Sequence, residues 1–145
     1  MTTASISYEL HFPHTPARVW RALTNRAEIA KWLMPNDFEP RLGHRFTLQT
    51  APMPALNFDG ICHCEVTAFE PPRLLAYTWV GGSLDTLVTF ALEPEGDGTR
   101  LRFEHSGFDL DDPLQAASYR GLQGWRQALD VALRREVDAQ AATQG

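Results

Sequence analysis

From Gly43 to Ser106 apolar and polar side chains alternate with a period of two, in runs separated by turn-forming residues: HRFTLQT, GICHCEVTAF, RLLAYTWV, DTLVTFALE and TRLRFEHS. Successive side chains of a strand point to opposite faces, so each run predicts a strand with one buried face. The connectors, EPP at Glu70 to Pro72, GGS at Gly81 to Ser83 and EGDG at Glu95 to Gly98, are too short for a crossover helix, which makes these five strands an antiparallel meander. A further alternating stretch, Ile6 to Phe12, precedes them.

Two short helices are predicted between the first strand and the meander. In HTPARVWRALTN, Thr15 is placed as N-cap and Pro16 at the first helical position, with Val19, Trp20 and Leu23 on one face. In NRAEIAKWLM, Asn25 with Glu28 three residues on resembles a capping box; Ile29, Trp32 and Leu33 form the buried stripe and Pro35 ends the helix. After the strands, Asp112, Pro113 and Gln115 open a long helix with the stripe Leu122, Trp125, Leu129, Ala132, Leu133 and Val137, and with Arg120, Arg126, Asp130, Arg134 and Asp138 on its outer face. The predicted architecture is α+β: a curved six-stranded antiparallel sheet whose apolar face is covered by the C-terminal helix. One domain is expected over residues 1–145, ending in a frayed tail at 139–145.

A chain of 145 residues buries enough surface to fold without a metal or a disulfide. Its net charge of −5 and lack of a basic stripe point away from nucleic acid and anionic membranes. The N-terminus has neither a basic nor an apolar targeting region, and no apolar run approaches the roughly 20 residues of a membrane span, so a cytoplasmic protein with reduced cysteines is expected.

The segment DGICHCEV, Asp59 to Val66, holds both cysteines with a histidine between them. On a strand, Cys62, Cys64 and Val66 face one side and Ile61, His63 and Glu65 the other, so His63 cannot join the two sulfurs around an ion. Same-face neighbours lie roughly 6.5 to 7 Å apart with parallel side chains, too far for a disulfide. The pair is therefore expected to be two buried thiols with no metal bound.

The segments TPARVWRALTNRAEIAKWL, FEPPRLLAYTW and LVTFALEPEGDGTRLRFEHSGF, followed by Gly124 and Trp125, resemble the successive signatures of the activator of heat-shock protein 90 ATPase homologue family, within the START-like or SRPBCC superfamily. The resemblance spans about residues 6 to 138. It implies a helix-grip fold like that of the birch pollen allergen, with a cavity between the concave sheet face and the long helix. The alternation then assigns the residues that face it: Trp32, Phe46, Leu48, Cys64, Val66, Tyr77, Trp79, Val88, Phe90, Leu101, Phe103, His105, Trp125 and Leu129. Plain core packing is the alternative role for every aromatic among them.

His105 in FEHSGF is expected to bring one titratable group to an apolar pocket mouth, as a ligand-contacting or a structural histidine. DLDD at Asp109 to Asp112 lacks the glycine and closing glutamate of a calcium loop, and capping explains Asp112 better. No Gly-rich phosphate loop, nucleophile elbow or paired-carboxylate motif is present. The first reading is a binding protein for a small hydrophobic molecule, whether lipid-like, aromatic or polyketide-like, without metal or cofactor, as a monomer or weak homodimer. A cyclase- or hydrolase-type enzyme in which His105 or Tyr77 moves a proton, and a co-chaperone module suggested by the family name, are the rivals.

Overall fold

The alternating runs form six strands: β1 (Thr3–Phe12), β2 (Arg45–Gln49), β3 (Ile61–Glu70), β4 (Leu74–Gly81), β5 (Leu84–Glu95) and β6 (Gly98–Asp109). They make one antiparallel sheet in the order β1-β6-β5-β4-β3-β2. The computed structural model describes residues 2–144, with side chains for residues 2–139. The expected tail at 139–145 lies, beyond residue 139, outside the described side chains.

β3 to β6 follow one another through the short connectors, β2 joins β3 through the longer segment 50–60, and β1 closes on β6 with Ile6 opposite His105 and Leu10 opposite Leu101. The period of two lays inward side chains in rows across the sheet. Val66 stands opposite Tyr77, Tyr77 opposite Val88, and Val88 opposite His105. A second row runs from Leu75 through Phe90 to Phe103 and Tyr8. On β4 Leu75, Tyr77 and Trp79 are buried on one face, and of the other face Ala76 is buried too while Leu74 and Thr78 are half-buried.

Helices α1 (Pro16–Thr24) and α2 (Arg26–Trp32) lie between β1 and β2. Thr15 and Asn25 are their N-caps, accepting from the backbone N–H of Arg18 and Glu28. The reciprocal half of the capping box does not form: the Glu28 carboxylate turns toward Arg21, with Nε at 3.4 Å. α2 ends at Trp32, ahead of Pro35.

The C-terminal helix is continuous in sequence but not in winding. It runs as α3 (Pro113–Gly121), a 3-10 turn (Leu122–Gly124), α4 (Trp125–Gln127), a π-helical stretch (Ala128–Leu133) and α5 (Arg134–Gln144). The two glycines beside the 3-10 turn are poor α formers. The wider π winding suits the buried stripe, because Trp125, Leu129, Leu133 and Val137 recur every fourth residue. In a pure α-helix of 3.6 residues per turn such a stripe would drift off one face. Asp112 caps α3 by accepting from Leu114 and Gln115 N–H, and Gln115 Oε1 accepts from Asp109 N–H. Arg134 departs from the expected outer face. Its guanidinium lies 4.5 Å above the Phe12 ring and donates to the His11 carbonyl, tying the helix to β1.

Candidate functional site: an apolar cavity beside a sealed histidine

His105 is fully buried, so it does not stand at a pocket mouth; its place in the middle row of the sheet, under the C-terminal helix, removes it from water. The Trp125 indole N–H donates to Nδ1 across 3.0 Å, so Nδ1 carries no proton. Nε2 lies 2.7 Å from the Thr86 hydroxyl, whose own proton goes to the Trp79 carbonyl at 2.8 Å. Nε2 therefore holds the ring proton and donates it to Thr86. Both ring nitrogens are satisfied inside the protein, and burial pushes the His105 pKa down to about 3. A neutral ring with no free lone pair has no proton to exchange with a substrate at neutral pH.

The cysteines are equally inert. Cys62 and Cys64 are buried free thiols, while His63 is exposed on the other face of β3. Burial pushes the Cys62 thiol up to about 12 and raises Cys64 as well. Tyr77, buried beside them, has its phenol pKa pushed well up by the same cause. Among the described residues no three His, Cys, Asp or Glu side chains cluster as a metal site would require.

All the residues expected to face a cavity are buried, and the structure brings them into mutual contact. Trp32 meets Phe90 edge-on at 6.3 Å between ring centroids, Phe46 meets Tyr77 at 5.1 Å, and Phe103 meets Trp125 at 4.6 Å. Leu48, Cys64, Val66, Val88 and Leu129 fill the same core cluster. Phe103 also borders a depression it shares with Glu9 and Glu104, Phe46 and Cys64 border another shared with Arg45 and Glu65, and Trp79 lines a third space, whose walls carry no charge.

That space is a cavity of about 190 Å³ at the end of the sheet where β3 begins and β4 ends. Cys62, Trp79, Gly81 and Leu84 form its strand wall; Met34, Ser118, Gly121 and Leu122 form its helical wall. The third wall is the loop between β2 and β3, through Thr50, Met53, Leu56 and Phe58. Met53 and Phe58 exchange backbone hydrogen bonds of 2.8 and 3.2 Å around a 3-10 turn at Pro54–Leu56, making a small hairpin that turns back at Asn57, whose φ is 56°. Asn accepts this left-handed conformation more readily than most residues. Gly81 is what lets the hairpin close: a Cβ there would lie 2.9 Å from the Phe58 ring.

No charged side chain lines this cavity among the described residues, whereas a larger depression between α2 and residues 35–40, about 660 Å³, is lined by Arg26 and Glu39 and lies open to solvent. The sequence reading missed Met34, Met53, Leu56, Phe58, Leu84 and Ser118 as lining residues. The one signal was the apolar content of APMPALNF at 51–58, in a stretch too rich in proline to show a strand or helix period.

Residues 13–137 match the family described as activator of Hsp90 ATPase homolog 1-like protein. Nothing among curated proteins matches the chain. Solved structures similar to it include protein MLL2253 from Mesorhizobium loti, 38% identical with a TM-score of 0.82, the match covering 94% of this chain and 98% of that one. Protein BH1534 from Bacillus halodurans is 30% identical, with a TM-score of 0.76 and coverage of 94% and 99%. CalU16 from Micromonospora echinospora is 28% identical, with a TM-score of 0.70 and coverage of 97% and 87%.

Proposed function

The chain belongs to the activator of Hsp90 ATPase homolog 1-like family, and we propose that it binds a small hydrophobic molecule in the cavity walled by the 53–58 hairpin, the β4–β5 turn and the start of the C-terminal helical run. One observation carries the reading: an apolar cavity with no charged lining, in a fold whose remaining inward aromatics are packed on one another. Apolar cavities with a few polar groups are the usual form of small-molecule sites. Trp79 joins the two regions, since it lines the cavity and packs on Trp125 at 5.4 Å. Binding is favoured over catalysis because His105, Tyr77 and Cys62, the groups best suited to move a proton or attack a substrate, are all held in their neutral forms. A bound apolar molecule sheds its hydration as the walls do, so a negative heat-capacity change is expected.

The test is calorimetric titration with neutral apolar molecules of graded size: toluene, naphthalene and dodecanol. One-to-one binding of any of them, with negative heat-capacity change and lost in both Leu122→Trp and Met53→Trp, supports the reading. If none binds in that way, the cavity is not a ligand site. Among the described residues no helix is long and apolar enough to cross a membrane, so the measurement is made in aqueous buffer.

A further inference from the structure

We infer that the cavity selects an uncharged molecule of one aromatic ring, bearing at most one small hydrogen-bonding substituent, and excludes lipid chains, fused rings and carboxylates. This inference rests on the proposed function and adds size and charge to it.

Size comes first. An apolar cavity of about 150 Å³ is enough to take up benzene. By that scale the 190 Å³ here holds a ring with about two further non-hydrogen atoms. Drug-sized and lipid-like ligands occupy pockets of roughly 300 Å³ and more. The space cannot lengthen into the domain, because Trp79 closes its inner end. That indole is held from behind by Trp125 at 5.4 Å and His105 at 5.3 Å, and its carbonyl accepts from Thr86. On the outer side, where Met53 is exposed, the Phe58 ring lies against Gly81 and occupies part of the opening.

The chemistry of the walls narrows the class further. Three sulfur-containing residues, Met34, Met53 and Cys62, line the cavity together with the aromatic residues Phe58 and Trp79. Thioethers make favourable contacts with ring edges, and flat rings pack on indole and phenyl faces, so an aromatic ring is matched better than a flexible chain. With no charged partner on the walls, a carboxylate or ammonium entering the cavity would lose its hydration uncompensated. Ser118 is the polar group on the helical wall, nine-tenths buried, and its hydroxyl proton is already donated to the Leu114 carbonyl at 2.9 Å. Its oxygen is left as an acceptor, which suits a ligand that donates one hydrogen bond, such as a phenol.

The probes are p-cresol, toluene, naphthalene, dodecanol, and the pair acetophenone and benzoate, which share a shape and differ in charge. Titrated into the intact chain, p-cresol should bind at least tenfold tighter than naphthalene or dodecanol. Acetophenone should bind at least tenfold tighter than benzoate, and Ser118→Ala should abolish the preference for p-cresol over toluene. Phe58→Ala, which removes a wall ring, should admit naphthalene. Naphthalene or dodecanol binding as tightly as p-cresol, and blocked by Leu122→Trp, would overturn the size claim and leave the cavity a ligand site. Equal binding of benzoate and acetophenone would overturn the charge claim in the same manner. If no probe binds, the proposed function itself fails.

Discussion

The indole nitrogen of Trp125 and Nδ1 of His105 lie 3.0 Å apart, so a buried hydrogen bond links the C-terminal helical run to the last strand. It reads the ring's protonation state, since only an unprotonated Nδ1 can accept it. The same bond aligns Trp125 over Phe103 and Trp79, the side chain that closes the cavity.

Acid should therefore weaken the fold through His105. Its folded pKa of about 3 lies below the ordinary value of 6.5, so the unfolded chain takes up the proton first. The stabilisation is fully present above about pH 6.5 and is lost as the pH falls toward 3. At about 1.4 kcal/mol per pH unit, the stability gap between wild type and His105→Gln should narrow by about 2 to 3 kcal/mol between pH 7.5 and 4.5. Urea unfolding at the two pH values measures it. A gap that does not move would mean that the ring is not held neutral.

Trp125 separates packing from hydrogen bonding. Trp125→Ala should cost about 3 to 5 kcal/mol, as large aromatic truncations in a core do. Trp125→Phe keeps most of the ring but strands the His105 acceptor, at about 1 to 3 kcal/mol. Chemical denaturation of the two variants decides; a Trp125→Phe variant as stable as wild type would show that the bond to His105 contributes nothing of its own.

Glu28 should behave in the opposite sense to His105. Its carboxyl is buried, both oxygens lack a hydrogen-bond partner, and its pKa is raised, first by burial, against the lowering effect of Arg21 and with a further push from Glu136. The folded form thus holds the proton more tightly than the unfolded one. Stability from this group is present below the ordinary 4.5 and is lost as the pH rises through the folded pKa. Glu28→Gln should then be more stable than wild type at pH 7, with the gain shrinking as the pH falls toward 4.5. Thermal unfolding across that range checks it; a variant less stable at pH 7 would show that pairing with Arg21 outweighs burial.

Two glycines with left-handed backbone should differ sharply. A Cβ on Gly96 meets nothing within 4 Å, so Gly96→Ala should cost only the conformational penalty, about 1 to 2 kcal/mol. On Gly60 a Cβ would sit 2.4 Å from the Thr50 carbonyl oxygen, where the cavity loop closes on itself through the Thr50 N–H to Gly60 carbonyl bond. Gly60→Ala must move that backbone and should cost more than 3 kcal/mol, beyond any penalty of φ alone. Similar losses in the two variants would place the Thr50–Gly60 closure in doubt.

The strands, their inward rows and the helix caps could be read from the sequence because each depends on neighbours a few residues apart. Cys62 against His63 is the simplest case, since one step along a strand decides which faces the core. The pairing of β1 with β6 joins residues such as Ile6 and His105 that are far apart in sequence, and no local period announces it. The cavity was harder still, being the space left by packing. Met53, Leu56 and Phe58 reach it from a proline-rich loop whose path is set by Gly81 and Asn57, and no period in their spacing points there. His105 was visible as an inward titratable group, but its role hung on Trp125 and Thr86, which approach it from other elements.

Leu122 and Leu129 put the boundary between cavity and core to a direct test, because both stood on one predicted stripe of the C-terminal helix. Leu129 is fully buried in the core cluster, whereas Leu122 is half-buried and lines the cavity. Leu129→Phe has no free volume to enter and should cost about 1 to 3 kcal/mol by overpacking. Leu122→Phe can extend its ring into the cavity, and cavity filling of this kind should leave stability unchanged or raise it by about 0.5 to 2 kcal/mol. Binding should move the other way: Leu122→Phe should lose p-cresol, while the folded fraction of Leu129→Phe keeps it. Chemical denaturation and calorimetric titration of the same two proteins supply both numbers. Equal destabilisation would mean that the space beside Leu122 is not available to a side chain, and therefore not to a ligand of the same size.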